Sequence, residues 1–144
     1  MNSNRKYNEA AVKQFRKELL SMLGDIEDID KKVLNKSVNK GVAYAKKNTP
    51  VGIYSNKQGG FMRRSWRSAP AVKSKSGNVT KSLVNTADYS SYVNYGHRIV
   101  NKFKETIGWV KGQFILEKTI GFIERQLVKD FKEEVERINK KHDK

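Results

Sequence analysis

The sequence contains no cysteine, and it has only two prolines and two histidines. Without cysteine the chain can form neither a disulfide nor a cysteine-ligated zinc site, which fits a reducing compartment. No apolar run approaches the roughly 20 residues that cross a bilayer, and the N-terminal segment lacks the apolar core of a signal peptide. We therefore expect a soluble protein that is made in the cytoplasm and has no membrane partner. Its 144 residues fit a single domain, 1–144, with one modest core.

Acidic residues are scarce, because 15 Asp and Glu stand against 30 Lys and Arg and leave a formal charge of +15. The imbalance is concentrated in residues 50–112, which hold eleven basic and only two acidic residues. Residues 113–144 are almost balanced, with eight basic and seven acidic residues. A positive field of this kind attracts nucleic acid or the acidic faces of other proteins. A solvated basic surface is an equally good interpretation, so charge alone does not predict nucleic-acid binding.

Catalytic residues do not occur in recognisable patterns. His97 has no Ser, Asp or Glu at the spacing of a triad, and we interpret it as a turn residue. The basic segment has only the carboxylates of Asp88 and Glu105, and Asp88 is better explained as a helix cap. The acidic cluster at residues 25–30 lacks the glycine and closing glutamate of a calcium loop, so it indicates a helix start. With no glycine-rich phosphate loop either, the sequence predicts no enzyme, no catalytic residue, no metal and no cofactor.

The first third of the chain has helical periodicity. The predicted helical region, residues 8–48, begins with Asn8 as N-cap and ends before Pro50, because the residue preceding a proline avoids the helical conformation. Gly24 followed by Asp25 suggests a stop and restart, although a single kinked helix fits the same pattern. The apolar residues recur at intervals of three and four; they are Val12, Phe15, Leu19, Met22, Ile26, Ile29, Val33, Val38, Val42 and Ala45.

The basic middle, residues 49–112, is predicted to be rich in β-structure. Alternating residues favour a strand from Phe61 to Ser68 and a second from Val79 to Thr86. The polar segment 73–78 between them would form the tip of a long hairpin. A short helix is expected next, capped by Asp88 and ended by Gly96 in a left-handed conformation. Residues 97–108 are predicted to be a loop, with a short strand at Trp109 and Val110.

The C-terminal segment has the clearest pattern. Leu116, Ile120, Ile123, Leu127, Phe131, Val135 and Ile138 recur at intervals of three and four. They predict a long amphipathic helix from about residue 113 to about residue 139. The predicted fold class is therefore α+β, with N-terminal helices, a small antiparallel sheet with a long hairpin, and this C-terminal helix.

Two groups of residues in the basic middle are candidates for function. Trp66 among arginines could stack on a base beside a bound phosphate backbone, but a core tryptophan is the more economical interpretation. The tyrosine-rich turn before Gly96 is predicted to pack and hold the fold. The candidate contact residues are Arg63, Arg64, Arg67, Lys73, Lys75 and Lys81, and the candidate packing residues are Trp66, Tyr89, Tyr92, Tyr95 and Gly96.

Four segments in this order resemble a known protein family. They are Thr49-Pro50-Val51-Gly52, Met62-Arg63-Arg64-Ser65-Trp66, the tyrosine-rich stretch 85–98, and Val110-Lys111-Gly112-Gln113-Phe114-Ile115-Leu116. Together they resemble the small minor structural proteins of tailed bacteriophages, which include tail components and neck, head–tail joining and tail-completion proteins. The resemblance covers about residues 40–120. The chain departs from the pattern where Asn94 replaces a frequent glutamate and where Gly52 opens a longer loop.

The resemblance implies a structural subunit of a phage or prophage-derived particle, made in the bacterial host and located in the virion. It implies a homo-oligomeric ring, six- or twelve-fold, that contacts neck or connector proteins and tail-terminator or tail-tube proteins, with DNA passing through its lumen. The basic middle would then line the lumen or pair with acidic faces of adjacent rings, with the hairpin 61–86 as contact surface. The alternative is a stand-alone nucleic-acid-binding protein that uses the same basic residues and Trp66.

Overall fold

The computed structural model describes residues 2–142, with side chains described for residues 6–141. Two long helices frame a set of short antiparallel strand pairs and two short helices. The elements in chain order are α1 Asn2–Asn48, α2 Phe61–Arg64, β1 Trp66–Ser68, β2 Val72–Lys73, β3 Val79–Thr80, β4 Leu83–Asn85, α3 Ser90–Tyr95, β5 Gly96–Val100, β6 Thr106–Lys111 and α4 Ile115–His142. The predicted α+β class, with its hairpin and long C-terminal helix, is confirmed.

The N-terminal helix α1 is continuous. The predicted stop at Gly24 does not occur, and the acidic cluster that follows it lies inside the helix rather than at a helix start. An interior glycine costs only about 1 kcal/mol relative to alanine, which good helix formers on both sides can offset. Asn8 is likewise interior, because α1 already begins at Asn2. The predicted end is correct, since the helix stops at Asn48, two residues before Pro50.

The C-terminal half of α1 packs against α4, and Gly41 faces Ile123 at the contact. A Cβ atom at Gly41 would lie 2.4 Å from the Ile123 side chain, which would have to shift to make room for it. One turn further, the rings of Tyr44 and Phe122 stack with centroids 4.4 Å apart. The small core next to this crossing is formed by Ala45, Met62, Trp66, Ala87 and Ile115.

The buried face of α4 differs from the predicted apolar stripe. Ile120 and Phe131 belong to that stripe but are exposed, whereas the polar residues Thr119, Asp130 and Glu134 are buried. Thr119 donates to the Ile115 carbonyl of its own helix, and α1 faces Asp130 and Glu134 with Ser37, Lys40 and Lys32, whose hydrogen bonds and charges make burial of the two carboxylates possible. Part of the apolar stripe of α4 is therefore left on the surface.

The predicted hairpin is present but shorter and more irregular. Its first half, Phe61 to Arg64, is a helical turn, α2, and not a strand. Gly60, with a φ of 87°, redirects the chain into that turn. The pairs β1–β4 and β2–β3 are antiparallel and are separated by irregular residues, with the tip closed at Gly77. Because α2 replaces the strand, Arg63 and Arg64 do not alternate across a sheet.

A second hairpin occupies the segment predicted as a loop. β5 and β6 pair in register from Gly96 opposite Lys111 to Val100 opposite Thr106, with an irregularity beside Ile99. Its turn is held by Asn101, which accepts backbone N–H bonds from Phe103 and Glu105. Residues 97–108 are largely exposed. Because neither face of this hairpin is buried, the sequence there does not show the alternation of apolar and polar residues that marks a half-buried strand.

Candidate interaction surfaces

Trp66 lies in the core rather than on a nucleic-acid-binding surface. Its side chain is only 3% exposed, and its indole Nε1 donates to the Thr49 hydroxyl over 2.7 Å. The same hydroxyl donates to the Ala45 carbonyl at the end of α1 over 2.6 Å. These bonds join β1 to the last turn of α1 and satisfy the polar atoms that are buried there. Stacking of Trp66 on a base would require the core to open, so that part of the alternative hypothesis is wrong.

The three candidate arginines are exposed but bound to backbone carbonyls. The Arg63 guanidinium donates to the Thr49 carbonyl through Nη2 at 2.9 Å, and Arg64 donates to the Gly59 carbonyl at 2.9 Å. Arg67 donates to the carbonyls of Arg64 and Trp66. A guanidinium has five N–H donors, so each arginine keeps donors for a further partner. Arg63 and Arg64 also hold the two ends of the 49–60 loop.

The candidate lysines run along the hairpin, and two of them attach it to α1. Lys73 bonds the carboxylate of Glu27, and this contact holds the pKa of Glu27 below its usual value through the hydrogen bond and the lysine charge. Lys81 donates to Asn35 at 2.9 Å and to the Ala69 carbonyl at 2.7 Å. Lys75 lies exposed at the tip. The hairpin therefore lies along α1, and its positive charge is distributed over one extended surface.

The tyrosines of the 89–96 turn are exposed, and each has a ring contact with one neighbouring aromatic side chain. Tyr89, Tyr92 and Tyr95 are 44, 58 and 59% exposed, so these rings lie on the surface and not in the core. Tyr92 meets His97 edge to face, and Tyr95 meets Phe114. The Tyr89 hydroxyl accepts the Met62 backbone N–H at 3.2 Å. Because α3 is a short surface helix, it turns these rings outward toward solvent. Tyr89 is also its N-cap position, so Asp88 does not cap it.

Asn94, which the sequence did not single out, is the residue of this turn that holds the fold. Its side chain is buried, and its Oδ1 accepts the Leu116 backbone N–H at 2.9 Å, which caps the first turn of α4 from a distant part of the chain. Its Nδ2 donates to both carboxylate oxygens of Glu117, at 3.2 and 2.9 Å. Burial raises the pKa of Glu117, but the hydrogen bonds from Asn94, its own backbone and Tyr95 lower it on balance. The only sequence signal was its departure from the family's glutamate.

The backbones of Gly96 and Gly112 are in close contact next to the backbone of Asn94. A Cβ on Gly96 would lie 2.4 Å from the Val110 carbonyl oxygen, and a Cβ on Gly112 would lie 2.5 Å from the Asn94 carbonyl oxygen. Gly96 has a φ of 84° and a ψ of 172°, which only glycine adopts readily. The positive φ predicted for Gly96 is present, although ψ differs from the left-handed helical region. The two glycines let the turn cross the start of α4.

Buried charge joins the two long helices. The Asp130 side chain has no exposed surface and accepts hydrogen bonds from the Ser37 hydroxyl at 2.8 Å and the Lys40 ammonium at 2.7 Å. Glu134, one turn further, pairs with Lys32 at 2.9 Å and with Arg137. The hydrogen bonds from Arg137 and Lys32 hold the pKa of Glu134 below its usual value despite burial. These contacts set the register of α1 against α4.

Sites for small ligands are weakly developed in the described chain. Within residues 2–142 there is no group of three or more His, Cys, Asp or Glu side chains that could hold a metal. No helix in the same range is long and apolar enough to cross a membrane. The Nδ1 atom of His97 is buried, and no described residue hydrogen-bonds to it. His97 lies in β5, not in a turn.

A long apolar surface is left uncovered on the N-terminal part of α1, although Glu27 near its end contacts Lys73 of the hairpin. Every residue from 6 to 28, here called the arm, is exposed. The arm carries the first five residues of the predicted apolar stripe, from Val12 to Ile26, and their side chains are 44 to 61% exposed. Large apolar surfaces of this kind mark protein interaction sites.

Comparison with known proteins identifies the family. Residues 13–96, more than half of the chain, match the model described as "Bacteriophage HK97-gp10, putative tail-component". The match runs from the arm through the hairpin and α3 to Gly96, the first residue of β5, so it begins earlier and ends earlier than the expected 40–120. No curated protein and no solved structure matches the chain. The chain therefore belongs to the HK97-gp10-like family of bacteriophage tail components, whose members are parts of the virion.

Proposed function

We propose that this chain is a non-enzymatic structural subunit of a tailed phage or prophage particle, placed at the neck between head and tail. It would act in head–tail joining or tail completion by assembling into a ring and by contacting the neighbouring neck, tail-terminator or tail-tube proteins. The observation that carries the proposal is the family match over residues 13–96. A long exposed apolar arm and an extended basic surface on one small chain support it, since both suit protein contacts.

The basic surface has a physical use at a neck. Arg63, Arg64 and Arg67 keep free donors, and Lys75 at the hairpin tip is exposed. Such donors can contact phosphates of DNA in a lumen or carboxylates on an adjacent ring. Both contacts weaken with salt, but only the DNA contact releases condensed counterions. We favour the hairpin 61–86, with its tip at 73–78, as the surface that makes them.

The test is deletion of the gene from a phage or an inducible prophage, followed by electron microscopy of the lysate. We expect DNA-filled heads and assembled tails that remain unjoined, and infectivity restored by a plasmid copy. Mixing mutant heads with wild-type tails, and mutant tails with wild-type heads, then shows which partner lacks the protein. Defective heads indicate head–tail joining, and defective tails indicate tail completion. Normally joined, infectious particles from the deletion strain would overturn the proposal.

The stand-alone nucleic-acid-binding function is favoured by the charge of +15 alone. Once Trp66 is excluded as a stacking residue, it depends only on phosphate contacts. It predicts that purified protein binds duplex DNA with an affinity that falls steeply with salt. The Lys75→Gln variant, at the exposed tip, should weaken that binding without altering the fold. No measurable binding at about 50 mM salt ends this alternative, because phosphate contacts are strongest at low ionic strength.

A further inference from the structure

The arm has an apolar face wider than a simple coiled-coil seam. Val12, Phe15, Leu19, Met22 and Ile26 follow each other at alternating intervals of three and four, which is a heptad pattern. Leu20 and Leu23, which are 69 and 56% exposed, broaden this face along one side. A stripe of this width suits a groove between two helices better than the seam of a single partner helix. The arm is about 35 Å long, and a partner on this face would add the tertiary packing from which most helical stability in proteins comes.

The body of the same chain carries an apolar groove of about 640 Å³. It lies between α1 and α4 and is closed at one side by the hairpin tip. Val128 and Phe131, the residues of α4 left out of the core, are 59 and 48% exposed in it. The groove is lined by Val33, Leu34, Val79, Leu127, Val128 and Phe131, with Asp30 and Lys132 at its edges.

The arm cannot reach the groove of its own chain. α1 runs without interruption from the arm through Asp30 and Val33, so the arm points away from the groove along the helix axis. A helix that fills the groove must therefore come from another molecule.

A second copy of the chain supplies a helix of matching chemistry. The arm face is flanked by Arg16 on one side and by Glu18 on the other, since these positions lie on opposite sides of the heptad stripe. The groove has Asp30 at one edge and Lys132 at the other. An arm can lie in the groove in two directions. One of them brings Arg16 to Asp30 and Glu18 to Lys132, so that opposite charges meet on both sides.

The area that the arm offers suits a stable contact. Seven arm side chains, each about half exposed, offer on the order of 100 Å² apiece, or roughly 700 Å². That is close to the roughly 800 Å² per partner of a standard protein interface. The groove lining itself covers only residues 30–34, 77–79 and 127–132, so a contact of this size also requires the surfaces of α1 and α4 that flank the groove.

We propose that the arm of each chain docks into the α1–α4 groove of the next copy. The two surfaces are different and lie at different places on the molecule, so the contact is heterologous. Such a contact leaves one free arm and one free groove in every incomplete assembly, and it ends only when a ring closes. Because ring assembly is part of the proposed function, the contact rests on that function, but it can be measured separately.

Cysteine cross-linking tests the contact directly, because the chain has no cysteine of its own. Leu19→Cys and Val128→Cys chains, mixed and treated with a short bismaleimide, should give a covalent heterodimer. The double variant, in purified protein or in isolated particles, should give a ladder of covalent multimers. Leu19→Cys alone is the matched control. Cross-linked dimers of that variant at equal yield would show that arms pair with arms, and they would overturn the proposal.

A complementation experiment checks the same geometry without cross-links. Leu19→Asp removes the arm surface and Phe131→Asp removes the groove surface, while both sites are exposed in the single chain. For each variant alone, the affinity of self-assembly should fall by about tenfold or more. Circular dichroism checks that each variant is folded, and Val128→Asp serves as a second groove variant. The mixture should form a dimer and stop, since one arm and one groove remain intact.

Sedimentation that shows no dimer in the mixture, while the wild type assembles, overturns the docking. A wild type that forms no multimers, together with a Leu19→Cys/Val128→Cys double variant that gives no cross-links in solution or in particles, overturns it as well. Joined particles that give no arm–groove cross-link leave the proposed function standing and remove only this contact. Cross-linked rings together with normal joining in the deletion strain would support the arm–groove contact and overturn the proposed function.

Discussion

Asp130 should contribute more to stability than any surface charge of α4. Replacing it by asparagine keeps one oxygen to accept the Ser37 hydroxyl at 2.8 Å but removes the charge that holds Lys40 at 2.7 Å. Hydrogen bonds to charged groups contribute about 1.5–3 kcal/mol. Lys40 is partly exposed and can return to water, which lowers the cost of losing its partner. We therefore expect Asp130→Asn to reduce the free energy of unfolding by about 1–2 kcal/mol.

The matched control is Glu133→Gln on the adjacent, exposed position of the same helix. Glu133 is 49% exposed and pairs with Lys36 at 3.1 Å, and exposed pairs of this kind contribute about 0–1 kcal/mol. Urea unfolding followed by circular dichroism measures both variants against wild type. Equal losses for the two variants, or a loss below about 0.5 kcal/mol for Asp130→Asn, would refute the reasoning, because a buried, hydrogen-bonded carboxylate should cost more to replace than an exposed one.

The pH dependence gives an independent check on Asp130. Burial raises the pKa of its carboxyl, but the hydrogen bonds from Lys40 and Ser37 outweigh burial and hold the pKa below its usual value. A carboxyl whose folded pKa is below the unfolded value of about 3.9 stabilises the fold above that pH. This contribution is lost as the pH falls through the folded pKa. The gap in stability between wild type and Asp130→Asn should therefore be full at pH 6 and narrow below pH 4.

Three further substitutions, with Gly77→Ala as a control for the second, test the turn and the core. Asn94→Ala should cost about 2 kcal/mol, because α4 loses its cap and Glu117 loses its donor; a thermal midpoint equal to wild type contradicts that role. Gly96→Ala should reduce the free energy of unfolding by at least about 2 kcal/mol. Gly77 has a similar φ of 90° but open space around it, so Gly77→Ala should reduce it by only about 1 kcal/mol. Equal losses would mean that the contact of Gly96 with Val110 is unimportant. Thr49→Val should cost about 1–2 kcal/mol by leaving the Trp66 Nε1 unpaired, and the change should appear in the tryptophan fluorescence during denaturation.

Much of the fold could be predicted because local rules decided it. Pro50 ends α1, and the apolar periodicity after residue 115 predicts α4 whatever lies beside it. The hairpin was visible from its polar tip and its β-forming residues. Its first turn was not, because Phe61-Met62-Arg63-Arg64 fits a strand and a helix equally well. The positive φ of Gly60 and the burial of Met62 against the core decide for α2.

Less of the candidate interaction surfaces could be predicted from the sequence. The role predicted for the basic residues as contact residues stays a prediction, and the bonds of Arg63 and Arg64 to the carbonyls of Thr49 and Gly59 depend on contacts that the sequence does not show. Tyrosines drew attention by composition, whereas Asn94 is the buried residue of the turn. A single asparagine has no periodic signal, and its role arises only when α3 meets the start of α4.

The sequence by itself determined the elements whose causes are local: a helix up to Asn48, a hairpin with a polar tip, an amphipathic helix at the end, and a strongly basic middle. Only the tertiary structure decided which faces are covered. One apolar stripe runs along α1 from Val12 to Ala45, and sequence treats all of it alike. α4 covers the stripe only from Ile29 onward and turns Asp130, rather than Phe131, toward α1. The apolar surface that remains on the arm and in the groove follows from the length and rotation of one helix against another, which periodicity cannot encode.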